Sequence, residues 1–194
     1  MRSRTKNGMV VSVLIAVAIA TTSLVVATTG GAAEKPRPVG SGSVAALMRA
    51  VDASDALPAE VSGMPAYSWI ATSSAARRIA TDPSYRAWVA PGRGGFICLI
   101  VQVVAEAGTG ITCAPRETLK SEPIYMSSIN PGGGVDVVGI VDDAVKSVSS
   151  SGNSAVVKSN AFILKNMAGT SLAMTGSGIS RSVELGSLRP KAPY

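Results

Sequence analysis

Apolar and polar positions divide the chain into an apolar leader, a short helix-prone region and a long β-prone region. No charged residue occurs between Lys6 and Glu34, and residues 9–27 are almost entirely apolar. From residue 85 onward, short β-prone segments alternate with turn residues. This spacing is typical of antiparallel β structure rather than of βαβ units. We therefore expect an α+β chain whose body is mainly an antiparallel β domain, sandwich or barrel-like.

The most apolar part of the β-prone region is residues 96–105, which predicts a central strand buried on both faces. Residues 85–89 form the predicted strand before it, and residues 111–114 form the strand that returns after a turn. The later predicted strands are shorter and are separated by turns: residues 123–129, 135–141, 145–149, 155–158, 161–164, 171–175 and 182–185.

Two short helices are predicted before these strands. Apolar residues recur at helical spacing from Val44 to Val51, which gives one apolar stripe. Residues 72–81 favour a second helix, which ends at an Asp-Pro pair. This second helix is expected to lie on the surface with Arg77 and Arg78 pointing outward.

The leader has the pattern of a segment that enters the export machinery. Arg2, Arg4 and Lys6 precede the apolar run, and a positive end of this kind stays on the cytoplasmic side. The run suits a retained membrane anchor, which needs about 20 apolar residues, and also a cleavable signal, which needs about 7–15. The protein is therefore expected to be exported, either as a single-pass membrane protein with its N-terminus inside or as a secreted protein.

Composition shifts suggest how the chain is organised. The expected parts are a signal peptide or anchor at 1–33, a flexible Pro/Gly linker at 34–43, a β-rich domain at 44–165, and Gly/Ser-rich strands or a tail of the same domain at 166–194.

The two cysteines, Cys98 and Cys113, agree with export, because an even number in an oxidising compartment indicates a disulfide. Closing a loop of that length contributes about 3 kcal/mol in the chain-entropy model. The spacing is not that of a redox C-x-x-C motif, and the chain has no histidine. A structural disulfide is the prediction.

Charge and residue types exclude several functions. Three basic residues of the +6 net charge lie in the leader, so the exported part is only weakly basic and does not indicate nucleic-acid binding. Without histidine there is no Ser-His-Asp triad, and no cofactor or metal site is indicated. Asp136, Asp142 and Asp143 form a local acidic group, for which a turn is favoured over a calcium site.

Basic and aromatic residues are concentrated between residues 61 and 105, which contain four arginines, one acid and five aromatic rings. A surface of this kind can meet anionic lipid headgroups or cell-wall polymers. The alternative is that the rings form the core and the arginines are solvated edges. The candidate surface-binding residues are Arg77, Arg78, Arg86, Arg93, Tyr85 and Trp88.

Four segments between about residues 77 and 164 form a recognisable pattern. They are Trp88-Val89-Ala90-Pro91-Gly92, Phe96-Ile97-Cys98-Leu99, the segment 110–114 with its cysteine, and the segment 135–141 followed by Asp142-Asp143-Ala144-Val145. In these segments the chain resembles a group of exported β-rich proteins of unknown function from high-GC Gram-positive bacteria. The resemblance implies a paired disulfide and carries no activity or catalytic residue.

Three functions remain open at this level. The leading hypothesis is a non-catalytic binding or accessory module at the cell surface. The second is a carboxylate-dependent hydrolase of cell-wall material, because pairs of acids meet only in the fold. The third is a membrane-tethered structural protein that pairs with a partner chain through a strand edge.

Overall fold

Three antiparallel sheets make up the computed structural model of the chain, which describes residues 42–106, 108–130 and 132–186. The prediction of a mainly antiparallel β body is confirmed. The described strands are β1 (Arg77–Thr81), β2 (Tyr85–Pro91), β3 (Phe96–Val103), β4 (Gly108–Pro115), β5 (Ile124–Ile129), β6 (Val135–Ile140), β7 (Val145–Ser150), β8 (Asn153–Val156), β9 (Ala161–Met167), β10 (Ser171–Gly176) and β11 (Ile179–Glu184).

The sheets stack in layers, and the middle sheet separates two apolar cores. The first sheet has the order β1-β2-β3-β4, the middle sheet β5-β6-β9, and the last sheet β11-β10-β7-β8. Side chains alternate along β6, so Val138 packs into a core with the first sheet, whereas Val137 packs into a core with the last sheet. This burial on both faces is why β6 is almost wholly apolar.

Residues 53–75, which are irregular or form short 3-10 turns, cover the outer face of the first sheet, and we call this segment the coat. Val61 and Ile70 in this coat pack with Trp88, Ala90 and Ile100 into a third apolar cluster. As a result β3 is buried on both faces, as predicted, and residues Ile97, Cys98, Leu99 and Ile100 have no exposed surface.

The helices in the described residues are short 3-10 turns, so the two predicted helices are corrected. Met48 and Val51 of the predicted first stripe are 86% and 56% exposed. The 3-10 helices are Ala45–Met48, Ala53–Asp55, Ala59–Gly63, Pro65–Trp69, Ser73–Ala75, Arg93–Gly95 and Arg116–Lys120. None of the helices between residues 42 and 186 that the structure describes is long and apolar enough to cross a membrane.

Tertiary contacts explain both corrections. In the first segment, the backbone N–H groups of Ala45 and Ala46 donate to the side chains of Asp143 and Asn160, at 2.7 and 3.0 Å. These bonds hold the segment against the loop between β6 and β7 and the loop between β8 and β9, and they leave only one turn of helix. The second segment, Arg77–Thr81, forms strand β1 because it pairs with β2. This pairing outweighs the weak local helix preference of the segment.

The predicted leader at 1–33 lies outside the described residues, as does almost all of the predicted linker. Of the predicted C-terminal region, the described part contains β10 and β11, and β10 pairs with β7.

Candidate functional site

A polar groove lies between the first sheet and the coat, and it contains three of the six candidate surface-binding residues. Arg86 and Trp88 are two positions apart on β2 and therefore point to the same face. Their pairing partners on the neighbouring strands are Gln102 and Arg78. The sheet thus brings two arginines, an indole and an amide onto one face.

The coat forms the other wall of the groove. The groove has a volume of about 400 Å³. Its lining residues are Ala53, Ser54, Ala56, Leu57, Pro58, Glu60, Arg78, Arg86, Trp88 and Gln102.

Glu60 is the acidic residue of this lining, and the sheet holds it in place. Its Oε1 accepts hydrogen bonds from the Gln102 amide and from the Thr109 hydroxyl, each at 3.0 Å. A hydrogen bond from its own backbone N–H and the bond from Thr109 lower the pKa of Glu60 below its ordinary value. The carboxylate is therefore ionised at neutral pH and fixed in the lining of the groove.

The coat is anchored beside the groove by Asp55, which is 2% exposed. Its carboxylate accepts from Arg49 Nη1 at 2.8 Å and also from Arg49 Nη2, so the ion pair is bidentate. It also accepts from the backbone N–H of Asp52 at 2.9 Å and of Arg78 at 2.6 Å. Asp55 thereby ties the coat to β1 at the position of Arg78.

Neither of the two groove arginines forms an ion pair with an acid of the described residues. Within the part of the chain that the structure describes, the side chains of Arg78 and Arg86 make neither an ion pair nor a hydrogen bond. Arg78 is half-buried and Arg86 is exposed. Asp55 does not compensate them, because Arg49 already pairs with it. With two guanidinium groups against the one carboxylate of Glu60 in its lining, the groove carries an excess of positive charge.

Trp88 adds an unused hydrogen-bond donor to this lining. The residue is 3% exposed, and its Nε1 is buried without an acceptor among the described residues. A buried donor with no partner costs about 1–3 kcal/mol. In native structures such a group calls for an explanation, and a ligand that supplies an acceptor is one.

Arg77 and Tyr85 do not belong to this surface, which corrects two of the candidate residues. Both are buried on the opposite face of the first sheet, at 8% and 2% exposure. Arg77 donates to the backbone oxygen atoms of Arg49 and Ala76, each at 2.9 Å. Arg77 therefore does not point outward as the predicted second helix required.

Tyr85 belongs to a buried polar network between the first and middle sheets. Its hydroxyl donates to Asp136 Oδ2 at 2.9 Å and lies 2.7 Å from the hydroxyl of Ser128. Burial raises the pKa of Tyr85, and the carboxylate of Asp136 acts in the same direction. These bonds give Tyr85 a role in joining the two sheets.

The remaining candidates differ in their surroundings. Trp88 is too buried to meet a flat surface, so it can reach a ligand only from inside the groove. Arg93 is exposed in the turn Arg93–Gly95, at the end of β2 opposite to Arg86. Cys98 and Cys113 form the predicted disulfide, with an S–S distance of 2.08 Å, between paired positions of β3 and β4.

The three acids that the sequence grouped together are separated by the length of β6. Asp136 lies near the start of that strand, and Asp142 and Asp143 follow its end. Asp142 accepts from the backbone N–H groups of Gly42, Ser43 and Ala144, at 2.7, 3.0 and 2.9 Å. Among the described residues, no three acids or cysteines cluster as metal ligands.

Reasoning from the sequence did not identify Glu60, Gln102 or the Arg49–Asp55 pair. Gln102 had a usable signal, because it is a polar residue inside the most apolar strand. Glu60 and Asp55 had none, since they lie in a coat whose path depends on the sheet below. No family model matches this chain, and no curated protein or solved structure matches it either.

Proposed function

We propose that this chain is an exported, non-catalytic binding module that holds an anionic polymer of the cell envelope through its arginine groove. The observation that carries this proposal is that the guanidinium groups of Arg78 and Arg86 lie on one face of the first sheet and pair with no acid in the described part of the chain. Guanidinium groups bind carboxylates and phosphates with two parallel hydrogen bonds.

Two further features support an envelope location. The sequence before residue 34 has the order of an export segment, with a basic start and an apolar run. The disulfide between Cys98 and Cys113 is of the kind that persists in oxidising compartments.

The described carboxylates give little support to the hydrolase alternative. Asp55, Asp136 and Asp142 are the buried acids, and donors from the protein occupy each of them. They lie in three different parts of the fold rather than facing one another across a cleft. The partner-chain alternative has one favourable feature, since Val156 on the edge strand β8 is 70% exposed. That strand is only four residues long, and short edges discourage pairing.

Retention of the form without residues 1–33 on washed cell envelopes tests the proposal, because this form cannot be held by membrane insertion of the leader. We expect the double variant Arg78→Glu, Arg86→Glu to lose retention by roughly tenfold or more, because each charge-assisted hydrogen bond is worth about 1.5–3 kcal/mol. The matched control is Arg93→Glu, Lys158→Glu, which makes the same change in net charge at exposed sites outside the groove. The control should be retained like the unmodified protein.

Two results would contradict the proposal. Equal losses in both double variants would indicate non-specific attraction, and unchanged retention of the groove variant would show that the groove is not used. Phospholipid vesicles provide a third arm: if they compete for the protein and purified envelope polymer does not, the anionic partner is a lipid surface and the polymer is rejected.

A further inference from the structure

The geometry points to a more specific ligand: we infer that the groove binds a phosphate group that carries a neighbouring hydroxyl, as in a polyol phosphate. Arg78, Arg86 and the indole N–H of Trp88 would hold the phosphate, and Glu60 would accept the hydroxyl. This inference rests on the proposed function and names the chemistry of its ligand.

The positions of the two arginines allow them to share one group. Arg78 lies opposite Trp88 in the sheet, and Arg86 is two residues from Trp88 on the same face. Diagonal neighbours of this kind are about 7–8 Å apart, which is within the reach of long side chains. Both guanidinium groups can therefore converge on a single anion, and that anion would relieve the repulsion between them.

The arrangement of donors favours phosphate over carboxylate. A carboxylate offers two oxygen atoms in one plane and is satisfied by a single guanidinium fork. A phosphate offers oxygen atoms in several directions, so it can accept from β1, from β2 and from the buried indole together. In the lining of the groove, Trp88 Nε1 is a buried donor without an acceptor among the described residues, and a phosphate oxygen would provide one when the indole turns toward the groove.

Glu60 is the reason to expect a hydroxyl group next to the phosphate of the ligand. The carboxylate lies in the same lining as the arginines, and Gln102 and Thr109 fix it through Oε1. Its negative charge repels a bare phosphate. A hydroxyl group next to the phosphate turns this repulsion into a hydrogen bond, because an ionised carboxylate is a strong acceptor. Glu60 should therefore select polyol phosphates over simple phosphate esters.

Titration calorimetry on the full-length chain in non-ionic detergent tests this selection with two small probes. Glycerol 1-phosphate has the neighbouring hydroxyl, and methyl phosphate does not. We expect the unmodified protein to bind glycerol 1-phosphate at least fivefold more tightly than methyl phosphate. The Glu60→Ala variant should bind both probes about equally, with methyl phosphate bound more tightly than before.

The other variants separate the phosphate contacts from the hydroxyl contact. Arg86→Gln should weaken both probes to the same degree, and Trp88→Phe should weaken both by about tenfold or more, the value of one hydrogen bond to a charged oxygen. Arg93→Gln is the matched control and should change neither. An independent readout is the fluorescence of Trp88 in a Trp69→Phe background, since the chain has two tryptophans. The intensity or the wavelength of the Trp88 emission should change when glycerol 1-phosphate is added.

The phosphate can come from a soluble polymer or from a lipid headgroup, and two further arms distinguish them. Binding to soluble poly(glycerol phosphate) that Arg86→Gln weakens assigns the polymer. A loss of binding to phosphatidylglycerol vesicles in the same variant assigns the lipid.

The inference is overturned if neither probe binds, if both bind equally to the unmodified protein, or if Glu60→Ala leaves their ratio unchanged. Envelope retention that depends on Arg78 and Arg86, without binding of glycerol 1-phosphate, would overturn this ligand and leave the proposed function standing. If envelope retention does not depend on Arg78 and Arg86 and glycerol 1-phosphate does not bind, both this ligand and the proposed function are rejected.

Discussion

The carboxylate of Asp55 should be a main support of the coat and, through it, of the groove. We consider the variant Asp55→Asn, which keeps the shape of the side chain and removes its charge. The native carboxylate accepts from both Nη atoms of Arg49 and from the backbone N–H groups of Asp52 and Arg78. An amide has one oxygen and an NH₂ group, so donors on one side of the side chain lose their acceptor.

The expected cost follows from these contacts. Hydrogen bonds to a charged group contribute about 1.5–3 kcal/mol each, and two of them are lost or weakened. We therefore expect Asp55→Asn to lower the free energy of unfolding by about 3 kcal/mol at pH 6. The exposed acid Glu117 provides the matched control, and Glu117→Gln should change it by less than about 0.5 kcal/mol.

The pH dependence of the free energy of unfolding gives a second, independent value for the contribution of Asp55. Burial alone would raise the pKa of Asp55, but the hydrogen bonds from Arg49, Asp52 and Arg78 outweigh it and lower the pKa from 3.8 to about 2. Because the folded state binds the proton more weakly than the unfolded state, this contribution is complete above about pH 5 and is lost as the pH falls toward 2. At about 1.36 kcal/mol per pKa unit, it amounts to about 2 kcal/mol.

Urea unfolding of the oxidised, full-length chain in non-ionic detergent measures both quantities. The difference in stability between the unmodified protein and Asp55→Asn should be about 2 kcal/mol smaller at pH 2 than at pH 6. Taking the difference cancels the contribution of other acids with lowered pKa values, such as Asp82 and Asp143. A variant as stable as Glu117→Gln, or a difference that does not vary with pH, would refute this account of Asp55.

Two other predictions concern bonds that join neighbouring strands or sheets. The Cys98→Ala, Cys113→Ala variant should lower the free energy of unfolding by about 3 kcal/mol, because the disulfide no longer restricts the unfolded 15-residue loop. An equal unfolding midpoint in urea for the variant and the unmodified protein would contradict this prediction. Tyr85→Phe should cost about 1–3 kcal/mol, since it leaves the buried carboxylate of Asp136 with one donor fewer. A tyrosine that ionises in the folded protein at its ordinary pKa near 10 would show that Tyr85 is not buried as described.

The strands after residue 85 were predictable because each has a local signal. Short β-prone runs alternate with turn residues, and all of the predicted runs occur as strands with ends shifted by a few residues. The pairing of Cys98 with Cys113 was predictable for the same reason, since two strands joined by one turn place them side by side.

The region before residue 85 was predicted less well because its local preference is weak. Residues 77–81 have helix-compatible composition, and their conformation is decided by a neighbour, β2. The burial of Arg77 follows from that change, because a strand alternates its side chains and places Arg77 and Arg78 on opposite faces. The separation of Tyr85 from Trp88 has the same cause, since residues three apart on a strand face opposite ways.

By itself, the sequence determined the antiparallel β class, the disulfide and the concentration of arginines and aromatic rings between residues 61 and 105. These features depend on composition and on short-range alternation, which the order of residues records directly. Only the tertiary structure decided which arginines remain uncompensated and that Glu60 and Trp88 share a groove with them. That decision depends on contacts between a coat and a sheet more than 20 residues apart in the chain, and no local pattern specifies such contacts.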